Sequence, residues 1–126
     1  AILSIAAAKL GAKQVTALDI DPQAIRAAEQ NVINNDVGGI VNSYLGSLND
    51  IGVQKKCQLL IANISSKVII DILPKISAHL DSGGKAILSG IVVDKKKVIE
   101  GHIRDAGFQV HNDIISEDWV CFSVYK

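Results

Sequence analysis

Strand-like and helix-like segments alternate along this chain, and that alternation constrains the fold more than any other feature of the sequence. Between the strand-like runs, apolar residues recur three and four positions apart, as in helices with one buried face. Strands are predicted over residues 14–18, 40–45, 57–62 and 85–90, and helices over residues 1–10, 21–34, 65–80 and 94–106. The pattern predicts an α/β fold, a Rossmann-like, doubly wound and mostly parallel sheet.

The two ends of the predicted sheet differ in character. The run 57–62 is apolar on both faces, which is typical of a central parallel strand covered by helices. Residues 108–114 and 119–125 follow each other without a helix between them, joined by the polar residues 116–118. We therefore expect these two strands to form an antiparallel pair at the C-terminal end.

Polar and glycine residues mark the predicted boundaries of the elements. Asp21 and Pro22 should start a helix, because aspartate accepts hydrogen bonds from free N–H groups and proline suits the first turn. Asp94 is predicted to cap the last helix in the same way. Gly83 and Gly84 indicate a turn before the fourth strand.

Composition and charge exclude several classes of protein. The chain has 126 residues, 13 of them basic and 13 acidic, so its formal net charge is zero. A protein that binds phosphate backbones needs clustered Lys and Arg, and the one basic run, 95–97, is equally explained by a solvated helix start. No apolar run approaches the roughly 18 residues of a membrane span. Cys57 and Cys121 form neither a disulfide framework nor a zinc set, and we expect both thiols to be buried.

The start of the chain indicates that upstream sequence is absent. The sequence contains no Met, and residues 1–8 are the apolar, alanine-rich middle of a helix. We therefore expect one domain over residues 1–126 that lacks its first strand. Because a missing central strand leaves buried backbone groups unpaired, the isolated chain should be poorly stable unless another segment fills the gap.

Candidate binding residues follow the predicted strands, because ligands of open α/β sheets bind beyond the carboxyl ends of the strands. Asp19 could accept two hydrogen bonds from the cis-diol of a ribose, or lie in a solvated turn with Asp21. Asn63 offers one carbonyl acceptor and two N–H donors, or could cap the next helix. Ser47, followed by Leu48, could contact a base edge or only form a turn.

Histidine and tryptophan add no catalytic pattern. His79, His102 and His111 are scattered over predicted helix surfaces and a terminal strand, and none has a Ser or Cys partner at a recognisable catalytic spacing. Trp119 is interpreted as a packing residue of the last strand.

Several motifs together resemble the class I S-adenosylmethionine-dependent methyltransferases, and most closely the family that methylates large-subunit ribosomal protein L11. They cover nearly the whole chain in collinear order. They are the residues 2–12 and 17–25, Leu60-Ile61-Ala62-Asn63-Ile64, Ser82-Gly83-Gly84-Lys85, Leu88-Ser89-Gly90-Ile91, and 106–108 with 117–120. The family's glycine loop would lie directly before Ile2 and, like its substrate-recognition domain, is missing here.

The resemblance implies a function and a set of site residues. It implies N-methylation of a protein, most specifically of lysine or amino groups of ribosomal protein L11, in the cytoplasm, with S-adenosylmethionine as cofactor. Asp19 would bind the ribose, Ile20 would pack on the adenine, and Ser47 and Leu48 would lie at the base. Asn63 would orient the methionine end or the incoming amine. No direct nucleic-acid or membrane contact is expected.

Four alternative functions are also compatible with the sequence. A methyltransferase of nucleic-acid bases would place an aromatic motif after Asn63, where this chain has Ile64 and Ser65. A small-molecule methyltransferase or a dinucleotide-binding dehydrogenase would share the sheet, and the latter would need a Gly-x-Gly-x-x-Gly turn upstream. Finally, the chain could be a non-catalytic fragment of a methyltransferase domain.

Overall fold

The computed structural model describes all residues, 1–126. They form two compact units. One unit comprises Ala1–Ile51 and the other Gly52–Lys126. The α/β class is confirmed, and so is the antiparallel pairing at the C-terminal end. No helix is both long and apolar enough to cross a membrane.

The first unit consists of two parallel strands and two helices. Strands β1 and β2 pair in register from Val15 opposite Val41 to Asp19 opposite Leu45. Its small core contains Ala8, Val32, Val37 and Val41, packed against partly buried neighbours. The elements are α1 (Ile2–Lys9), β1 (Val15–Asp19), α2 (Pro22–Asn34), β2 (Val41–Leu45) and a three-ten turn (Leu48–Asp50).

The start of α2 follows the prediction from its sequence. Asp21 lies at the N-cap in an extended conformation, and its carboxylate accepts a hydrogen bond from the Gln23 N–H at 2.9 Å. Pro22 occupies the first turn, where its missing N–H leaves no helical hydrogen bond unmade. Asp21 therefore fixes where the chain turns from β1 into the helix.

The second unit is a four-stranded mixed sheet in the order β3-β4-β6-β5. Strands β3 and β4 are parallel, whereas β6 is antiparallel to both of its neighbours. Helices α3 and α4 contact each other as well as the sheet, so they cover the same face. The elements are β3 (Cys57–Asn63), α3 (Ser66–His79), β4 (Leu80–Val92), a three-ten turn (Val93–Lys95), α4 (Lys96–Asp105), β5 (Gln109–Ser116) and β6 (Trp119–Tyr125).

The position of β3 corrects the expectation of a central, covered strand. It pairs with β4 alone and forms an edge of its sheet. Leu59 and Ile61, on the face opposite to buried Ala62, are 47% and 36% exposed. The prediction of a strand at 57–62 is confirmed. Within residues 1–126, however, β3 has no strand neighbour other than β4.

Two local predictions are also wrong. Asp94 does not cap α4: it lies inside the three-ten turn, and the N-cap position falls on Lys95 without a side-chain hydrogen bond. Gly83 and Gly84 lie within β4, which starts directly after α3. The pairing of β4 with β3 shifts register before Lys85, so the glycines form an irregularity of the strand rather than a turn before it.

Candidate functional site

In the first unit, Asp19 ends β1 with its carboxylate exposed. Its Oδ1 atom accepts a hydrogen bond from the Asp21 N–H at 3.0 Å, and its main-chain carbonyl accepts one from the Gly46 N–H at 2.8 Å. The first bond orients the carboxylate, and Oδ2 takes part in none of the chain's hydrogen bonds. The next residue, Ile20, presents an apolar side chain that is 78% exposed.

The segment after β2 reaches the same edge of the two-stranded sheet, because Leu45 pairs with Asp19. Here Ser47 and Asp50 form a capping box. The Asp50 carboxylate accepts hydrogen bonds from the Ser47 N–H at 2.7 Å and from its hydroxyl at 3.0 Å, and the Ser47 oxygen accepts from the Asn49 N–H. These bonds, with the backbone bond as the largest cause, lower the pKa of Asp50. Ser47 is thus engaged in holding its own turn, beside the half-buried Leu48.

In the second unit, Asn63 ends β3 with an exposed side chain. Its amide makes no hydrogen bond within the chain, so it does not cap α3, whose N-cap position is Ser65. Asn63 pairs with Ser89 of β4, and the Ile64 N–H donates to the Ser89 carbonyl at 3.2 Å. The Asn63 amide is therefore free to meet a ligand.

Asn63 lines a hollow of about 290 Å³ together with Ser89, Gly90 and Trp119. Gly90 has a φ of +81°, and a Cβ atom there would lie 2.6 Å from the Ile64 carbonyl oxygen and 3.1 Å from Asn63 Oδ1. Only glycine fits this close approach without strain. The pairing of β4 with β6 is irregular over the same stretch, between Leu88 and Ile91.

The interpretation of Trp119 as a packing residue is wrong, because its side chain is 53% exposed and lines this hollow. Ser89 and Gly90 belong to the motif Leu88-Ser89-Gly90-Ile91, but the sequence did not predict them as site residues. Their signal in the sequence is a glycine after an apolar strand, which often marks a close backbone approach.

Three further side chains considered in the sequence, those of His79, Cys57 and Cys121, do not line the hollow. His79 is buried, contrary to its predicted surface position, and its Nδ1 atom has no partner. Cys57 and Cys121 are free and half-buried, and burial, with the nearby charge of Asp81, raises the pKa of the Cys57 thiol. No group of three or more His, Cys, Asp or Glu side chains could hold a metal ion.

The basic run 95–97 contains one residue with defined partners. The Lys96 ammonium lies 2.7 Å from Glu100 and 3.5 Å from Asp113, which links α4 to β5. The hydrogen bond to Glu100 is the largest cause of the raised pKa of Lys96. Lys96 therefore has a structural role, whereas Lys95 and Lys97 are exposed.

Comparison with solved structures defines the class of protein first. An RNA methyltransferase from Salinibacter ruber, solved with S-adenosyl-L-homocysteine, superimposes with a TM-score of 0.76 at 14% identity, covering 98% of this chain and 72% of that one. The ribosomal protein L11 methylase of Lactobacillus delbrueckii superimposes with a TM-score of 0.91 at 34% identity, over 98% of this chain and 63% of that one. The chain therefore has the fold of the class I methyltransferases.

Sequence comparison then identifies the family. The family model described as ribosomal protein L11 methyltransferase (PrmA) matches residues 1–126. Relatives of that name are 41% identical over 125 residues in an Exiguobacterium species and 42% identical over 120 residues in Bacillus cereus, covering 99% and 94% of this chain. The chain belongs to the ribosomal protein L11 methyltransferase family. It spans 40% and 38% of the length of these two relatives.

Proposed function

We propose that this chain takes part in transferring a methyl group from S-adenosylmethionine to an amino group of a protein, with ribosomal protein L11 as the specific substrate. The observation that carries the proposal is Asp19, an exposed carboxylate oriented by a backbone N–H at the carboxyl end of a parallel strand. Ligands of open α/β sheets bind at such strand ends. The shared family supports the choice of substrate.

The residues at this edge fit the adenosine part of the cofactor. A ribose diol offers two hydroxyl donors, and the Asp19 carboxylate keeps acceptor capacity beyond the one bond that it makes. Ile20 exposes an apolar side chain that suits the flat face of an adenine. Ser47 acts indirectly, because its capping box with Asp50 fixes the turn that presents Leu48.

When bound, S-adenosylmethionine supplies an electrophilic methyl group on a sulfonium. The chain's own contribution to the acceptor side comes from Asn63, whose carbonyl oxygen can accept a hydrogen bond from an incoming amine. The amine must be neutral to attack, and surroundings that remove water favour the neutral form. Asn63 would thus orient the amine without removing a proton itself.

The proposed partners and location follow from this substrate. A ribosomal protein as methyl acceptor supports a cytoplasmic location for the reaction. A formal net charge of zero argues against direct binding to nucleic acid.

The experiment is calorimetric titration of the chain with S-adenosylmethionine, using Asp19→Asn as the test variant. Asparagine keeps an oxygen acceptor for the Asp21 N–H and removes the charge, so the turn is preserved. Since hydrogen bonds to charged groups are worth about 1.5–3 kcal/mol, we expect affinity to fall about 10- to 100-fold. Asp71→Asn, which removes an exposed carboxylate from α3, is the matched control and should bind like the wild type.

Two results would count against the proposal. Equal affinities for the wild type and Asp19→Asn would remove Asp19 from the ribose site. Absence of binding, both in this chain and after joining it to the additional sequence that its longer relatives carry, would refute the use of S-adenosylmethionine.

A further inference from the structure

The hollow beside Asn63 is lined by an aromatic side chain, that of Trp119, whose main chain is paired with two neighbouring strands. Trp119 opens β6 and pairs with Val92 of β4 and Ser116 of β5. The preceding turn is tied to the sheet by a hydrogen bond of 2.8 Å from the Val93 N–H to the Asp118 carbonyl. The main chain of Trp119 is thus fixed on both sides while its indole remains 53% exposed.

The chemistry of the hollow selects among ligands. Its four lining residues, Asn63, Ser89, Gly90 and Trp119, include no charged side chain. A phosphate or carboxylate would find no cationic partner there. An alkylamine would find oxygen acceptors on Asn63 and Ser89 and an indole ring, the aromatic group that attracts cations most strongly.

The absence of a carboxylate from the lining matters for a methyl acceptor. A carboxylate would stabilise the protonated amine and oppose its conversion to the nucleophilic neutral form. An indole binds the alkyl stem of the side chain by burial and attracts the ammonium only moderately. The hollow can therefore hold an amine in either protonation state.

We propose that Trp119 is a positioning residue that forms, with Asn63, a subsite for the alkylamine side chain of the methyl acceptor. Gly90 also lines this subsite and permits the close approach of its backbone to Ile64 and Asn63, which a side chain there would disturb. The role of the subsite in methyl transfer rests on the function proposed above, whereas its capacity to bind an amine does not.

Trp119 is the only tryptophan of the chain, so its fluorescence reports directly on the subsite. The probes are the N-acetyl methylamides of lysine, of Nε-trimethyllysine and of norleucine, the last being an uncharged analogue of similar length. We expect saturable changes in emission with both cationic probes. The trimethyllysine compound should bind about fivefold more tightly than the norleucine compound, within the range of a cation–π contact.

Two variants separate the subsite from effects on folding. Asn63→Ala should weaken the lysine probe more than the trimethyllysine probe, because only the former has N–H donors for the amide. Ile114→Ala is the matched control: Ile114 is 60% exposed in the same β5–β6 pair and does not line the hollow. It should leave all three titrations unchanged.

The outcomes distinguish this inference from the proposed function. Unchanged emission with all three probes, or an equal response to norleucine and trimethyllysine, would overturn the amine subsite even if S-adenosylmethionine binds. Selective amine binding without any binding of S-adenosylmethionine, both in this chain and after joining it to the additional sequence of its longer relatives, would support the subsite and refute the proposed function.

Discussion

In the unit Gly52–Lys126, eleven large side chains are less than 2% exposed, whereas the best-buried side chains of Ala1–Ile51 keep 4–7% of their surface. This difference in burial follows from the number of strands and the side chains in each unit. Four strands covered by α3 and α4 enclose a core, while two strands with α1 and α2 bury mainly alanine and valine. Asp19 therefore lies in the unit with the smaller and less buried core, and Asn63 in the unit with the larger one.

Core truncation should show the largest effect and test this comparison directly. Phe122→Ala removes a fully buried aromatic ring from β6, and we expect a loss of about 3–5 kcal/mol in the free energy of unfolding. Val32→Ala in α2 removes a smaller side chain from a less buried position, so we expect about 1–2 kcal/mol. Urea denaturation, followed by circular dichroism, measures both.

Hydrogen exchange locates each loss within the chain. Amides of the second unit should exchange faster in Phe122→Ala, and amides of the first unit in Val32→Ala. Equal destabilisation by the two substitutions would contradict the difference in burial between the units.

Removing the cap of α2 should have an intermediate effect. Asp21→Ala leaves the Gln23 N–H without its side-chain acceptor, and we expect about 1 kcal/mol of destabilisation. Asp21→Ser, which keeps a capping oxygen, should restore most of the stability. If alanine and serine behave alike in urea denaturation, the cap does not stabilise the first unit.

Acid should produce the smallest effect, confined to the turn after β2. Hydrogen bonds from Ser47 lower the pKa of Asp50, so the capping box stabilises the turn above the ordinary carboxyl pKa of about 3.9. That contribution is lost as the pH falls through the lower pKa of the folded state. The amide shift of Ser47, followed by NMR, should move only below about pH 4, and Asp50→Asn should abolish the movement.

The sequence predicted elements whose signals are local. Asp21 and Pro22 marked the start of α2, and the apolar spacing of 65–80 marked α3, because caps and helical periods involve near neighbours. The edge position of β3 does not follow from its apolar pattern, since strand pairing depends on residues far away in sequence. It agrees with the predicted absence of a central strand from this chain. The predicted start of α4 at Asp94 was also wrong, because Asp94 lies in a three-ten turn and the helix begins at Lys96.

The candidate site was predicted only in part. Asp19, Ile20 and Asn63 follow their strands and could be selected by that rule, but their roles stay predictions. Trp119 was missed because an aromatic residue at the start of a strand has the same pattern whether it packs or faces a hollow. His79 was misplaced because it falls on the buried stripe of α3, three residues after Ile76.

The edge formed by β3 affects how the protein behaves at high concentration. Its residues 57–63 include neither a charged side chain nor a proline, the features with which natural proteins protect an open sheet edge. Two copies that met along this edge could extend each other's sheets through main-chain hydrogen bonds. We therefore expect the isolated chain to self-associate at high concentration, because a second copy can supply the strand neighbour that β3 lacks.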